Sequence, residues 1–174
     1  MRYDAVLFDL DGTLIGLRPE EFISAYFDRI GRWVSARMDP EPFLQLLGAS
    51  TRAMLQSEDA GLTNEEVFLD HFVPGIPGLD REETLELFDR FYEEEFPRLR
   101  HLCRALPAAR PVVRTLRESG RLLVLATNPV FPRVAIEQRL RWGGLEPEDF
   151  DHISSYENSS CCKPSLGYYR DLVQ

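Results

Sequence analysis

Lysine is almost missing from these 174 residues: of 20 basic side chains Lys163 is the single ammonium and the other 19 are arginines. Cysteine is also scarce, limited to Cys103, Cys161 and Cys162. The adjacent pair is a poor candidate for bridging to itself, and no cysteine–histidine spacing suits a metal. All three read as reduced thiols, as in the cytosol. No apolar run approaches the roughly 20 residues that a spanning helix needs. Met1-Arg2-Tyr3-Asp4 has neither the apolar region nor the cleavage site of a signal peptide. A cytoplasmic protein with no membrane contact is expected. Positive charge is in deficit, at a net charge of -9 with no basic cluster, so neither nucleic acid nor an acidic membrane is an expected partner. A small anion remains open as a ligand if positive potential is supplied locally. Ammonium and guanidinium differ enough in geometry that the one lysine is a candidate supplier.

The most informative stretch is Ala5-Val6-Leu7-Phe8-Asp9-Leu10-Asp11-Gly12-Thr13, an apolar run passing into two carboxylates, a glycine and a hydroxyl. Such a run predicts a strand buried on both faces of a parallel sheet, with ligands beyond its carboxyl end. Asp9 falls at the strand's exit and Asp11 in the loop. Leu122-Leu123-Val124-Leu125-Ala126 repeats the pattern and runs into Thr127 and Asn128. A third strand is predicted near His152 to Ser155, ahead of Lys163-Pro164.

From Pro19 to about Pro107 the spacing is helical. Pro19 suits a first turn, Asp39-Pro40 reads as an N-cap with proline after it, and Thr63 to Glu66 and Asp80 to Glu83 read as capping boxes. No strand is expected in this block, which should form a helical bundle of its own. Helices are also predicted over Ala108 to Ser119, Pro132 to Trp142 and Ser165 to Val173. The expected architecture is therefore α/β, a doubly wound Rossmann-like parallel sheet interrupted by a helical insertion.

If the three strand ends meet in one crevice, Asp9, Asp11, Thr127, Asn128 and Lys163 form a set suited to phosphoryl transfer. One carboxylate attacks phosphorus to give an acyl phosphate. A second, two residues on, protonates the leaving oxygen and later activates water. Gly12 permits a tight turn whose amides can face phosphate, while threonine hydroxyls and the ammonium offset charge on its oxygens. Two carboxylates repel a phosphate, so a hard divalent cation, Mg²⁺, is expected as well. A calcium loop is rejected, because registering Gly12 at its sixth position puts Leu7 and Arg18 where carboxylates are required.

Asp9-Leu10-Asp11-Gly12-Thr13, Thr127-Asn128 and Lys163-Pro164, in this order and placement, resemble three of the four motifs of the haloacid-dehalogenase-like hydrolase superfamily. The resemblance implies that Asp9 is the nucleophile and Asp11 the general acid and base. It makes Thr127 and Lys163 phosphate ligands, beside Gly12, Thr13 and Asn128, and it has Mg²⁺ held by the Asp9 carboxylate and the Asp11 backbone carbonyl. It further implies a core of residues 1–15 and 108–174 with residues 16–107 as a mobile helical cap. Dehalogenating members lack the second aspartate, so Asp11 points to phosphate chemistry on a small phosphorylated metabolite. The fourth motif, an acidic pair after a further strand, is not reached. Only 11 residues follow Lys163, fewer than the dozen or so that a helical crossover needs. The chain is thus expected to be C-terminally incomplete, leaving the Ala5 to Asp9 strand without one neighbour. Three readings stay open: a phosphatase, an impaired or purely phosphate-binding relative, and a phosphomutase. Oligomeric state is undetermined.

Overall fold

A computed structural model describes residues 3–173 of the chain. Three strands, β1 (Ala5–Phe8), β4 (Leu122–Leu125) and β5 (His152–Ile153), form a parallel sheet in the order β1-β4-β5. The register pairs Phe8 with Leu125 and Leu125 with Ile153. All three strands therefore end at the same level, and the segments leaving them, at Asp9, Ala126 and Ser154, start side by side. β5 is shorter than expected, and the Asn158 side chain braces the chain where it ends. Its Nδ2 donates to the Ile153 carbonyl and its Oδ1 accepts from Ser155 N–H, both at 2.8 Å.

Between β1 and β4 lie β2 (Ile15–Gly16), α1 (Pro19–Val34), α2 (Pro40–Gln56), α3 (Asn64–Phe72), α4 (Arg81–Glu94), β3 (Arg104–Ala105) and α5 (Ala109–Glu118). The start signals operate as the residues predict. Asp39 caps α2 through Glu41 N–H, and Thr63–Glu66 and Asp80–Glu83 are reciprocal capping boxes. Each side-chain cap satisfies amides that a helix start leaves without partners, worth about 1 kcal/mol apiece. After β4 follow α6 (Arg133–Trp142) and α7 (Leu166–Asp171).

Two expectations are corrected. β1 is not buried on both faces: Ala5 and Leu7 are exposed, Leu7 to 43%, while among the described residues it pairs with β4 alone and is the edge strand that its missing neighbour anticipates. An apolar run specifies a strand but not how far each of its faces is covered. The region before Pro107 also contains a strand, β3, which pairs antiparallel with β2.

The helical block does not stand apart from the sheet. One continuous apolar cluster includes Phe22, Tyr26, Phe72 and Phe91 of the block with Leu123, Leu125, Phe131 and Ile136 beyond it. Tyr26 meets Phe131 edge-on at 5.5 Å and Phe96 stacks on Trp142 at 5.4 Å. Full burial of side chains of this size contributes about 1.5–3 kcal/mol each, so these contacts weigh more than any surface ion pair. The start of α3 adds a polar clamp. Asn64 and Glu65 N–H donate to the Ser159 and Tyr156 carbonyls at 2.8 and 2.9 Å, and Asn64 Nδ2 donates to the Pro129 carbonyl at 3.2 Å. The three cysteines are free thiols. Among the described residues no helix is long and apolar enough to cross a membrane.

Two glycines separate packing from propensity. A Cβ at Gly143, just past α6, would run into Ile15 Cγ2, and Ile15 is fully buried; a Cβ at Gly48 inside α2 would meet nothing. Gly143→Ala is expected to destabilise by about 1–3 kcal/mol, and Gly48→Ala to stabilise by about 0.5–1 kcal/mol. Thermal unfolding checks both; equal midpoints for the two variants would contradict this packing.

Candidate active site

The carboxyl ends of β1 and β4 are joined by one more ladder bond, Ala126 N–H to the Phe8 carbonyl at 2.7 Å. Asp9 therefore leaves the sheet next to Thr127. The segment after β5 returns to the same place: Lys163 Nζ donates to Asp9 Oδ1 at 2.9 Å. Asn128 fixes this approach by accepting the Lys163 backbone N–H on Oδ1 at 3.0 Å. Three strand ends thus bring Asp9, Asn128 and Lys163 together, with Thr127 immediately before Asn128. The Asp9 and Lys163 side chains are 42% and 25% exposed. A pair that open contributes about 0.2–1 kcal/mol at most, so its meaning lies in where it places the charges rather than in stability.

Thr127 is buried, and its carbonyl accepts the Tyr168 hydroxyl at 2.9 Å. Tyr168 is also within 3.1 Å of Ser154 Oγ, and the Lys163 ammonium lies 5.8 Å from its ring centroid. Burial pushes the Tyr168 phenol up to about 12, partly opposed by the Ser154 hydrogen bond and assisted by nearby Tyr169 and Asp9. Tyr168 is therefore a neutral strut beneath the site. It escapes a reading from motifs, because its ring has the period of an ordinary core residue.

The loop between β1 and β2 is a closed turn. The Leu10 carbonyl accepts from Thr13, Leu14 and Ile15, and Gly12 N–H donates to the Ile15 carbonyl at 2.8 Å. Gly12 has φ of 78°, the left-handed region in which a side chain is disfavoured. The Gly12 and Thr13 amides are therefore engaged within the turn, and what the turn presents outward is the exposed Thr13.

Asp11 does not join Lys163. Its Oδ1 pairs with Nη2 of Arg139, whose side chain is only 2% exposed. The guanidinium lies 5.2 Å from the Phe22 ring centroid and 5.4 Å from that of Phe131. Arg139 is the residue that motif reading passes over. Its signal is an arginine on the apolar stripe of α6, beside Ala135, Ile136 and Leu140, all fully buried. Burial pushes the nearby Cys103 thiol up to about 11, with Arg139 opposing and Asp11 adding to the shift, which makes it a poor nucleophile at neutral pH.

Mg²⁺ takes hard oxygen ligands, keeps several waters, and needs one or two carboxylates beside a substrate phosphate. The half-exposed Asp9 carboxylate and the Asp11 carbonyl, which accepts no backbone hydrogen bond among the described residues, are donors of this kind and fit such an ion. Among the described residues no three His, Cys, Asp or Glu side chains gather into an all-protein cage.

A parallel sheet wound with helices, with polar residues clustered at its carboxyl ends, defines an α/β protein of the class that binds ligands beyond such strand ends. The chain belongs to the haloacid dehalogenase-like hydrolases, whose family model matches residues 3–174. Two solved structures share the fold at a TM-score of 0.52. One is a predicted phosphoglycolate phosphatase from Haemophilus somnus, at 16% identity over 98% of this chain and 70% of that one. The other is CbbY from Rhodobacter sphaeroides in complex with phosphate, at 19% identity over 98% and 73%. The L-2-haloacid dehalogenase of Xanthobacter autotrophicus matches with a TM-score of 0.47 and 18% identity over 99% of this chain, which spans 64% of that protein's length. No curated protein matches the chain.

Removing the Asn128 side chain leaves the part-buried Lys163 amide without its acceptor, a local cost of about 1–3 kcal/mol. Asn128→Ala is expected to speed hydrogen exchange at the Lys163 amide while leaving β4 protected. Unchanged exchange there would contradict the assigned contact.

Proposed function

We propose that the chain is a Mg²⁺-dependent phosphoester hydrolase that acts on a small phosphorylated metabolite through an aspartyl-phosphate at Asp9. The observation that carries this reading is the 2.9 Å contact between Lys163 Nζ and Asp9 Oδ1 at the end of β1. It brings an accessible carboxylate nucleophile together with the chain's one ammonium. A net charge of -9 makes a local cation necessary for any anionic substrate. On this reading residues 1–15 and 108–174 are the catalytic core and residues 16–107 the cap.

An Asp9 carboxylate oxygen attacks phosphorus, and the bond from phosphorus to the leaving oxygen breaks as Asp11 gives that oxygen a proton. Asp11 then takes a proton from water, whose oxygen attacks the same phosphorus. The bond to Asp9 breaks, phosphate departs and the carboxylate is restored. Splitting the displacement in two avoids one difficult step, and proton transfer by Asp11 contributes roughly 10²–10⁴-fold. Lys163 offsets charge on the phosphoryl oxygens with Thr127 and Thr13, Gly12 shapes the turn beneath them, and Asn128 holds the Lys163 backbone. Mg²⁺, when held by the Asp9 carboxylate and the Asp11 carbonyl, neutralises phosphate charge that the two carboxylates would otherwise repel.

The test is phosphate release from p-nitrophenyl phosphate with and without Mg²⁺. Asp9→Asn is expected to lower the rate by at least about 10³-fold, and Lys163→Met by roughly 10²–10³-fold. Equal rates for Asp9→Asn and the parent would overturn the assignment. Phosphate binding without turnover would favour a binding module instead.

A further inference from the structure

Arg139 has no place in the chemistry so far, yet few arginines are so enclosed. It leaves the middle of α6 among Ala135, Ile136 and Leu140, with 2% of its side chain exposed. Aromatic faces lie 5.2 and 5.4 Å from its guanidinium carbon, one from Phe22 on α1 and one from Phe131 after β4. Its Nε is buried with no partner, so the Nη2 contact to Asp11 Oδ1 is its only ion pair among the described residues. A buried unpaired guanidinium is costly. The Asp11 carboxylate is thus the one counter-charge of this guanidinium among the described residues.

We infer that Arg139 is a positioning residue: its rigid, buried guanidinium pins Oδ1 of Asp11 so that Oδ2 is the oxygen that exchanges a proton with the leaving group. This rests on the phosphatase reading above. The ring contacts fix the guanidinium plane, and α6 fixes its origin. Asp11, which sits in an exposed turn with a side chain 35% exposed, would otherwise sample several rotamers. Loss of that order weakens proton delivery without touching the nucleophile or the phosphate ligands.

Proton delivery matters little when the leaving group is a stable nitrophenolate and much when it is an alkoxide, which provides a readout that a merely structural role would not move. Initial rates are measured on p-nitrophenyl phosphate and on glycerol 2-phosphate with Mg²⁺ for the parent, Asp11→Asn, Arg139→Met and Arg139→Lys. Arg139→Met is expected to lose roughly 10–100-fold in kcat on the alkyl ester and far less on the aryl ester, with KM little changed. Asp11→Asn should show the same preference more strongly, and Arg139→Lys should recover part of the loss. Equal losses on both esters in Arg139→Met, with Asp11→Asn still selective, would overturn the inference alone. An Asp11→Asn variant with no preference, or an Asp9→Asn variant as fast as the parent, would instead sink the reading on which it rests.

Thermal unfolding tests the pinning without any turnover. The arginine is the buried member of the pair, so Asp11→Asn strands a charge whereas Arg139→Met removes one. Asp11→Asn is expected to lower Tm, and adding Arg139→Met to it to raise Tm again. Losses that simply add would show that Arg139 does not hold Asp11, and would overturn the inference whatever the kinetics.

Discussion

Two carboxylates two residues apart, in one tight turn at the end of a strand, must be neutralised without neutralising each other's role. The fold meets that constraint with two cations that arrive from different directions. Lys163 comes from the segment after β5 and takes Asp9; Arg139 comes from α6 and takes Asp11. The division requires both the parallel register, which aligns the ends of β1, β4 and β5, and the packing of α6 behind the turn.

The two pairs are not equivalent, and magnitudes separate them. The Asp9–Lys163 pair is open to water, where such contacts are worth about 0.2–1 kcal/mol, and it can be exchanged for a substrate at small cost. On the other side sits a guanidinium with 2% of its side chain exposed, paired to a carboxylate that is 35% exposed. Removing that carboxylate strands a buried charge, which costs more than losing a surface contact and less than the roughly 3–5 kcal/mol of a fully buried pair. The readily broken contact is at the residue proposed to react. The durable one is at the residue proposed to move a proton, and it ties that residue to Phe22 on α1 and Phe131 after β4.

Much of this was legible in the residues themselves. The apolar runs at Ala5 and Leu122 name their strands, and the caps at Asp39, Thr63 and Asp80 name the helix starts that are observed. The lone lysine does meet the first aspartate. What was hidden depends on tertiary context. β2 and β3, with two residues each, are too short for alternation to register. The exposure of Leu7 on β1 depends on what covers that face of the sheet, which side-chain composition does not encode. Arg139 presents as a flaw in an apolar helical stripe, and its partner lies 128 residues away in sequence. The Gly12 amide reads as an available donor until the turn is seen to consume it.

The central claim is that Asp9 carries the phosphoryl group covalently, and the most direct measurement is to trap it. A single-turnover reaction with a phosphate ester and Mg²⁺, quenched in acid and digested, is analysed by mass spectrometry. The account predicts a phosphoryl group on the peptide containing Asp9, lost on treatment with hydroxylamine as an acyl phosphate is, and absent from Asp9→Asn. Release of phosphate with no label on that peptide, or with the label on another residue, would contradict it.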